Sequence, residues 1–374
     1  MTVSFVDVKK SLRSQDPEQV REIIPRFVEN EPKNYHRVLQ QMMYLSAHER
    51  LDNDSPLGLI YMDAIRDLAT LYEDTGKDPW PLYRTALNYF CTLPLGEYQK
   101  SATTMRPEDM GQIVLVDDFV ECVCNGEREQ AIHEALKLIW LMDNIFYLVE
   151  ILTEIAASLD REHGVPLILA GTALKSVDFV DRARMNPLVF LLTDYLSRFC
   201  PGRPPARTGT EYDQEILFEP YYTAVFEARD RSPFDILYLS YAQQIWEGVR
   251  MKDVAIRRGI LRYLDKHFDT EGGSQAPQEY TPSSGSIDEI IHSLRAGDPE
   301  KSHALILGYA RDDGGLGTLY REMTGLFLES HRTTRPMDLL LLNACRTALA
   351  YIQPPEQYQV LLKAADLVME TVAG

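Results

Sequence analysis

The chain has 374 residues, 45% of them hydrophobic, and its 38 basic and 56 acidic side chains leave a formal net charge of −18. That much apolar material buries a sizeable core, in two or three domains or in one elongated repeat array. A field of this sign repels phosphate backbones, so neither nucleic acid nor an anionic membrane is an expected partner.

The first element comes out of the N-terminal stretch MTVSFVDVKKSLRSQD, which has no apolar run of signal-peptide length. It leads into SLRSQDPE, residues 11–18, a phrase that returns as SLRAGDPE at residues 293–300 with six of eight positions identical. The phrase is a helix start. Asp16 can accept a backbone N–H as N-cap, Pro17 fits the first helical position, and Glu18 favours the positive end of the dipole; Asp298, Pro299 and Glu300 are placed to do the same.

After each phrase the apolar residues recur at three- and four-residue steps, as in Ile23, Ile24, Phe27 and Val28 and again in Leu305, Ile306 and Tyr309. Three helices of similar length are expected in each place. The middle one ends in His48 or His331, and the third opens with Pro56 or Pro336. Further on come Asp63-Ala64 with Arg66, and Asn343-Ala344 with Arg346. A third copy begins at NGEREQAIHEALKLIWLMD, with His163, Pro166, Thr172-Ala173 and Lys175 at the matching places. Its stretch 136–159 carries Asp143, Glu150 and Glu154, so it is no membrane span. A degenerate copy over 211–268 keeps a two-helix rhythm, has no joint histidine, and is rich in rings: Tyr221, Tyr222, Phe226, Phe234, Tyr238, Tyr241 and Trp246.

Strand signals are nearly absent, and self-similarity of this kind marks a stacked helical array. The expected fold is all-α, with tandem multi-helix repeats of about four helices each forming a solenoid-like or two-lobed array. The N-terminal lobe is expected over 1–200, with repeats at about 8–97 and 115–200, and a Pro/Gly-rich linker over 201–213. The C-terminal lobe follows over 214–374, with the degenerate repeat to about 268, a polar linker over 269–286 and a last repeat over about 287–370. The five cysteines form no Cys-x-x-Cys and read as reduced thiols of a cytoplasmic protein.

Two functional readings follow. One is a binding or scaffold protein that recognises a protein or small-molecule ligand in a groove between repeats. Candidate groove residues are Arg66, Lys175, Arg346, Tyr222, Tyr238, Tyr241 and Trp246, since long cations and polar-tipped rings suit such surfaces. The other is a metal- or haem-dependent oxidoreductase, with a transition metal or haem held by His48, His163, His303 and His331. Glu300-x-x-His303 resembles half of a di-iron ligand set, while His133 pairs with Glu129 at the wrong spacing. A histidine ending a helix also simply meets the negative dipole end. Equivalent positions in an open stack lie at least about 8–10 Å apart, so they share one metal only if the array closes. Asp312 to Thr318, a glycine-rich run, is expected as a helix connection rather than a phosphate loop.

Overall fold

The structure is a computed structural model that describes residues 3–31, 33–50, 56–96, 115–142, 145–177, 179–180, 185–200, 202, 216–227, 232–248, 254–268, 280–312, 315–331, 335–354 and 356–373. Among the described residues there are eighteen α-helices and no strand, so the all-α expectation holds. In chain order they are α1 (Phe5–Ser14), α2 (Pro17–Glu29), α3 (Asn34–Ser46), α4 (Leu57–Asp74), α5 (Trp80–Phe90), α6 (Val116–Cys124), α7 (Arg128–Leu141), α8 (Ile145–Ser158), α9 (Val165–Val177) and α10 (Asn186–Phe199). Then come α11 (Glu219–Glu227), α12 (Pro233–Gly248), α13 (Val254–His267), α14 (Ile287–Ala296), α15 (Pro299–Arg311), α16 (Leu316–Ser330), α17 (Pro336–Leu349) and α18 (Glu356–Ala373). None of the described helices is long and apolar enough to cross a membrane.

The repeated phrase does more than start a helix; it also ends one. Ser4 opens α1 with a reciprocal capping box to Asp7, and Ser286 opens α14 in the same way with Glu289. Both helices stop at a left-handed residue, Gln15 (φ 52°) and Gly297 (φ 66°). Asp16 then accepts the Glu18 N–H, Asp298 accepts the Lys301 N–H, and α2 and α15 each run for 13 residues. Between α6 and α7 the left-handed residue is Gly126 (φ 76°), followed by Glu127. The apolar pairs that each joint folds inward, Val8 and Leu12, Phe119 and Val123, Ile290 and Leu294, are all fully buried. A residue with a Cβ at φ > 0 costs about 1 kcal/mol. Gln15 offsets this by donating its side-chain amide to the Phe90 and Leu93 carbonyls, each at 2.9 Å.

By contact density the chain divides into two units. One comprises residues 1–63, 90–214 and 241–264; the other comprises 64–89, 215–240 and 265–374. In the first, α1, α2 and α3 pack on one another, α6, α7 and α8 gather around α10, and α9 packs on α8 and α10. Gly259 lets α13 touch α8, since a Cβ there would lie 2.3 Å from the Ala157 carbonyl oxygen. In the second, α18 is central and packs on α11, α14, α15, α16 and α17.

The joint can be tested at its cap. Asp298→Ala is expected to cost about 1 kcal/mol in urea unfolding, and Asp298→Asn only a few tenths, because the amide oxygen still accepts the N–H.

Candidate functional site

The four candidate histidines occupy separate settings. In the first unit, His48 lies in the turn after α3, edge-on to Tyr44, and burial together with Arg13 drives its pKa down to about 4. His163 sits at φ 64° in the short turn before α9. In the second unit, His303 on α15 is buried, with Nε2 2.8 Å from Asp366 Oδ1 and the Tyr280 ring edge-on at 4.7 Å. His331 caps α16 and stacks on Phe327, with burial lowering its pKa to about 4. Among the described residues no three His, Cys, Asp or Glu side chains form a group able to hold a metal ion. Glu300 stands in the first turn of α15, and α15 and α16 flank the glycine-rich run, in which Asp313 and Gly314 lie outside the described residues.

Two of the candidate groove residues come together around an acid. Asp63 on α4 is fully buried, and its Oδ2 is 2.9 Å from Lys175 Nζ and accepts the Tyr241 hydroxyl at 2.9 Å. Gly171 makes the meeting possible. A Cβ there would lie 2.8 Å from the Tyr241 ring, and Lys175 stands one turn further along α9 with Nζ 5.3 Å from that ring's centroid. The cluster is a buried ion pair with a hydroxyl donor, both contacts made through Asp63 Oδ2.

The remaining candidates are apart from it. Arg257 covers the ring of Trp246 at 4.8 Å. In the second unit, Arg66 lies 3.5 Å from Asp67, Arg346 sets its charge beside the buried Tyr320 hydroxyl, and Tyr238 stacks on Phe268. Tyr222 is fully buried and stacks on Phe226 with ring centroids 6.2 Å apart.

Phe226 leads to a cleft of about 260 Å³ in the second unit, lined from α11, α12, α17 and α18. Val225, Phe226, Ile236, Leu341, Cys345 and Leu367 make its apolar wall, and Ser232, Asp338, Lys363 and Glu370 supply the polar groups. Two helical stripes build it. Asp338, Leu341 and Cys345 share one face of α17, and Lys363, Leu367 and Glu370 share one face of α18.

A short connection makes α17 and α18 antiparallel neighbours, and Gln357 near the start of α18 donates to the Leu349 carbonyl at the end of α17. Asp338 and Glu370 therefore share one end of the cleft. Lys363 marks the other, close enough for its charge to act on the buried Cys345 thiol. Seven residues of helix put the Lys363 and Glu370 positions about 10 Å apart. Burial raises the Asp338 carboxyl above its ordinary range, against the pull of Arg335. Burial pushes the Cys345 thiol up to about 12, so it stays a protonated wall residue.

A second, more open cleft of about 410 Å³ in the same unit is ringed by Lys77, Arg84, Arg295 and Arg321 and by Asp78, Glu322 and Glu329. Its charges are mostly matched: Lys77 lies 3.5 Å from Glu322, and Arg295 2.6 Å from Glu329.

No family model, curated protein or solved structure is significantly similar to this chain. Of the lining residues, only Phe226 stands out in the sequence, as one ring of the aromatic-rich segment; the alternation of charge and leucine along 363–370 was the other available signal.

Two outcomes test this electrostatic layout. Asp63→Asn should destabilise the fold by about 1–3 kcal/mol in urea unfolding, because it leaves the Lys175 ammonium facing a neutral amide. Glu49 gives a pH signature. Its carboxyl accepts the Gly58 N–H at 2.8 Å, yet burial raises it from 4.5 to about 7. Between those values the folded state holds a proton that the unfolded state has lost, so this group's contribution to stability falls as pH rises toward 7. Glu49→Gln lacks that fall, so the variant should gain stability on the parent protein between pH 5 and pH 8.

Proposed function

We propose that the protein is a binding protein whose ligand seat is the 260 Å³ cleft of the second unit. The observation that carries this reading is the polarity of the cleft. Two carboxylates stand at one end, one ammonium at the other, and leucine and phenylalanine side chains line the stretch between. The complementary ligand is a small elongated zwitterion with an apolar body, its amine toward Asp338 and Glu370 and its acid toward Lys363. An extended peptide gains about 3.3–3.6 Å per residue, so two or three residues match the spacing. Apolar walls with a few placed polar groups are the usual make-up of a small-molecule site. Tyr222 acts from behind, holding Phe226 in the wall.

We also infer that the chain grew by internal duplication. Three joints support this, at Gln15-Asp16, Gly126-Glu127 and Gly297-Asp298, each with a left-handed residue followed by a helix start and an apolar pair buried beneath it. On this reading α1–α5, α6–α10 and α14–α18 are equivalent units, and α11–α13 are a diverged one whose rings were turned to ligand binding. Five protonated or thiolate cysteines without a disulfide suit a cytoplasmic protein.

Calorimetric titration with the tripeptide Ala-Val-Leu tests the ligand reading. Binding should weaken about fivefold when the peptide is N-acetylated and again when it is C-amidated, since each change removes a rim ion pair of about 1 kcal/mol. Leu341→Trp should abolish binding by filling the cleft. Equal affinity for the free and doubly blocked peptides, or full binding to Leu341→Trp, would overturn the reading.

A further inference from the structure

The first unit contains two thiols that the ligand site does not use. Cys124 is the last residue of α6, and Cys200 is the residue that caps α10. The two helices pack on each other. Their C-terminal ends meet: a Cβ on Gly126, two residues beyond Cys124, would lie 3.2 Å from the Ser197 carbonyl oxygen. Where those ends meet, each thiol is the largest influence on the other's pKa, Cys124 acting on the Cys200 sulfur as a hydrogen-bond donor.

The pair is asymmetric. Cys124 is fully buried, whereas Cys200 is partly open to solvent. The bond from Cys124, joined by one from the Gly202 N–H, lowers the Cys200 thiol below its ordinary range despite its burial. Cys124 moves the other way, held protonated by the hydrogen bond it donates, by burial and by the nearby Glu154 carboxylate. The other three thiols, Cys91, Cys122 and Cys345, are all raised by burial. One partly open sulfur with thiolate character, backed by a buried thiol, is the arrangement of a peroxide-responsive pair.

We propose that Cys200 and Cys124 form a reversible disulfide in response to hydrogen peroxide, with Cys200 as the attacking sulfur and Cys124 as the resolving one. The Cys200 thiolate attacks one peroxide oxygen, the O–O bond breaks, and the departing hydroxide takes a proton from water or buffer. Cys200 is then a sulfenic acid. Cys124 loses its proton and attacks the Cys200 sulfur, the S–O bond breaks, and the hydroxide leaves as water with that proton. Two thiols have then supplied two electrons, and one peroxide has become two waters. The new bond needs the sulfurs to close from hydrogen-bond contact to about 2.05 Å. It ties the C-terminal ends of α6 and α10, and so encloses α7, α8, α9 and α10 within one covalent loop. A loop of that length raises the melting temperature of the unit by about 5 °C or more.

The test uses the full chain. Reduced protein is treated with a small excess of hydrogen peroxide, free thiols are blocked with N-ethylmaleimide, and intact mass and peptide maps are recorded. The expected result is an internal cross-link of Cys124 to Cys200, reversed by dithiothreitol, with a raised melting temperature. Cys124→Ser should stop at a sulfenic acid on Cys200 that dimedone traps, and Cys200→Ser should form no cross-link. Because either variant could perturb folding, the rate of iodoacetamide labelling is measured on the unaltered protein, where Cys200 should react at least tenfold faster than Cys91. A cross-link involving any other cysteine, retention of all five thiols after peroxide, or labelling of Cys200 no faster than Cys91 overturns the proposal.

Discussion

The fold depends on turning a helix sharply back without leaving backbone polar groups stranded. Each turn at Gln15, Gly126 and Gly297 meets that constraint with one residue at positive φ. At all three the turn also closes its own hydrogen bond: Gln15 N–H to the Leu12 carbonyl, Gly126 N–H to the Val123 carbonyl and Gly297 N–H to the Leu294 carbonyl. At the first and last joints the Asp16 and Asp298 side chains also accept an orphan amide of the next helix, whereas Glu127 makes no such cap. The apolar side chains one and two turns back are buried completely beneath the joint, while its charged caps stay in water. Helix packing around each joint follows from that local economy.

Burying long helices on several sides brings charges inside, and the structure matches them locally. Asp63 has an ammonium and a hydroxyl on it, and the His303 ring has Asp366. Glu49 accepts the Gly58 N–H, and burial raises its carboxyl to about 7. A buried acid met by a neutral donor is pushed toward its protonated form. The same rule separates Asp338, half-buried at the acidic end of the cleft, from a fully solvated rim acid.

Much of the fold was legible because its signals are local. The Asp-Pro-Glu starts, the spacing of Ile24, Phe27 and Val28, and the proline at the head of α17 each act within one or two turns. The helix that closes at Ser14 was less visible, because its ten residues carry only a two-residue buried stripe. The site was legible only in fragments. Lys175 and Tyr241 were marked as groove residues, but their joint purpose is set by Asp63, more than 100 residues earlier in the chain, and by the missing side chain at Gly171. The charge-leucine-charge spacing of Lys363, Leu367 and Glu370 is plain in the sequence. That it faces the stripe of Asp338 and Leu341, and the ring of Phe226, is tertiary information.

The short connection after Leu349 brings α17 and α18 side by side, with Asp338 beside Glu370 and Lys363 at the far end, and the proposed ligand seat rests on that polarity. A crystal structure of the protein with a bound apolar tripeptide would decide it. The account predicts density along Leu341 and Leu367, with the peptide amine beside Asp338 and Glu370 and its carboxylate beside Lys363. A peptide lying in the reverse direction, or bound elsewhere with this cleft filled only by water, would contradict it.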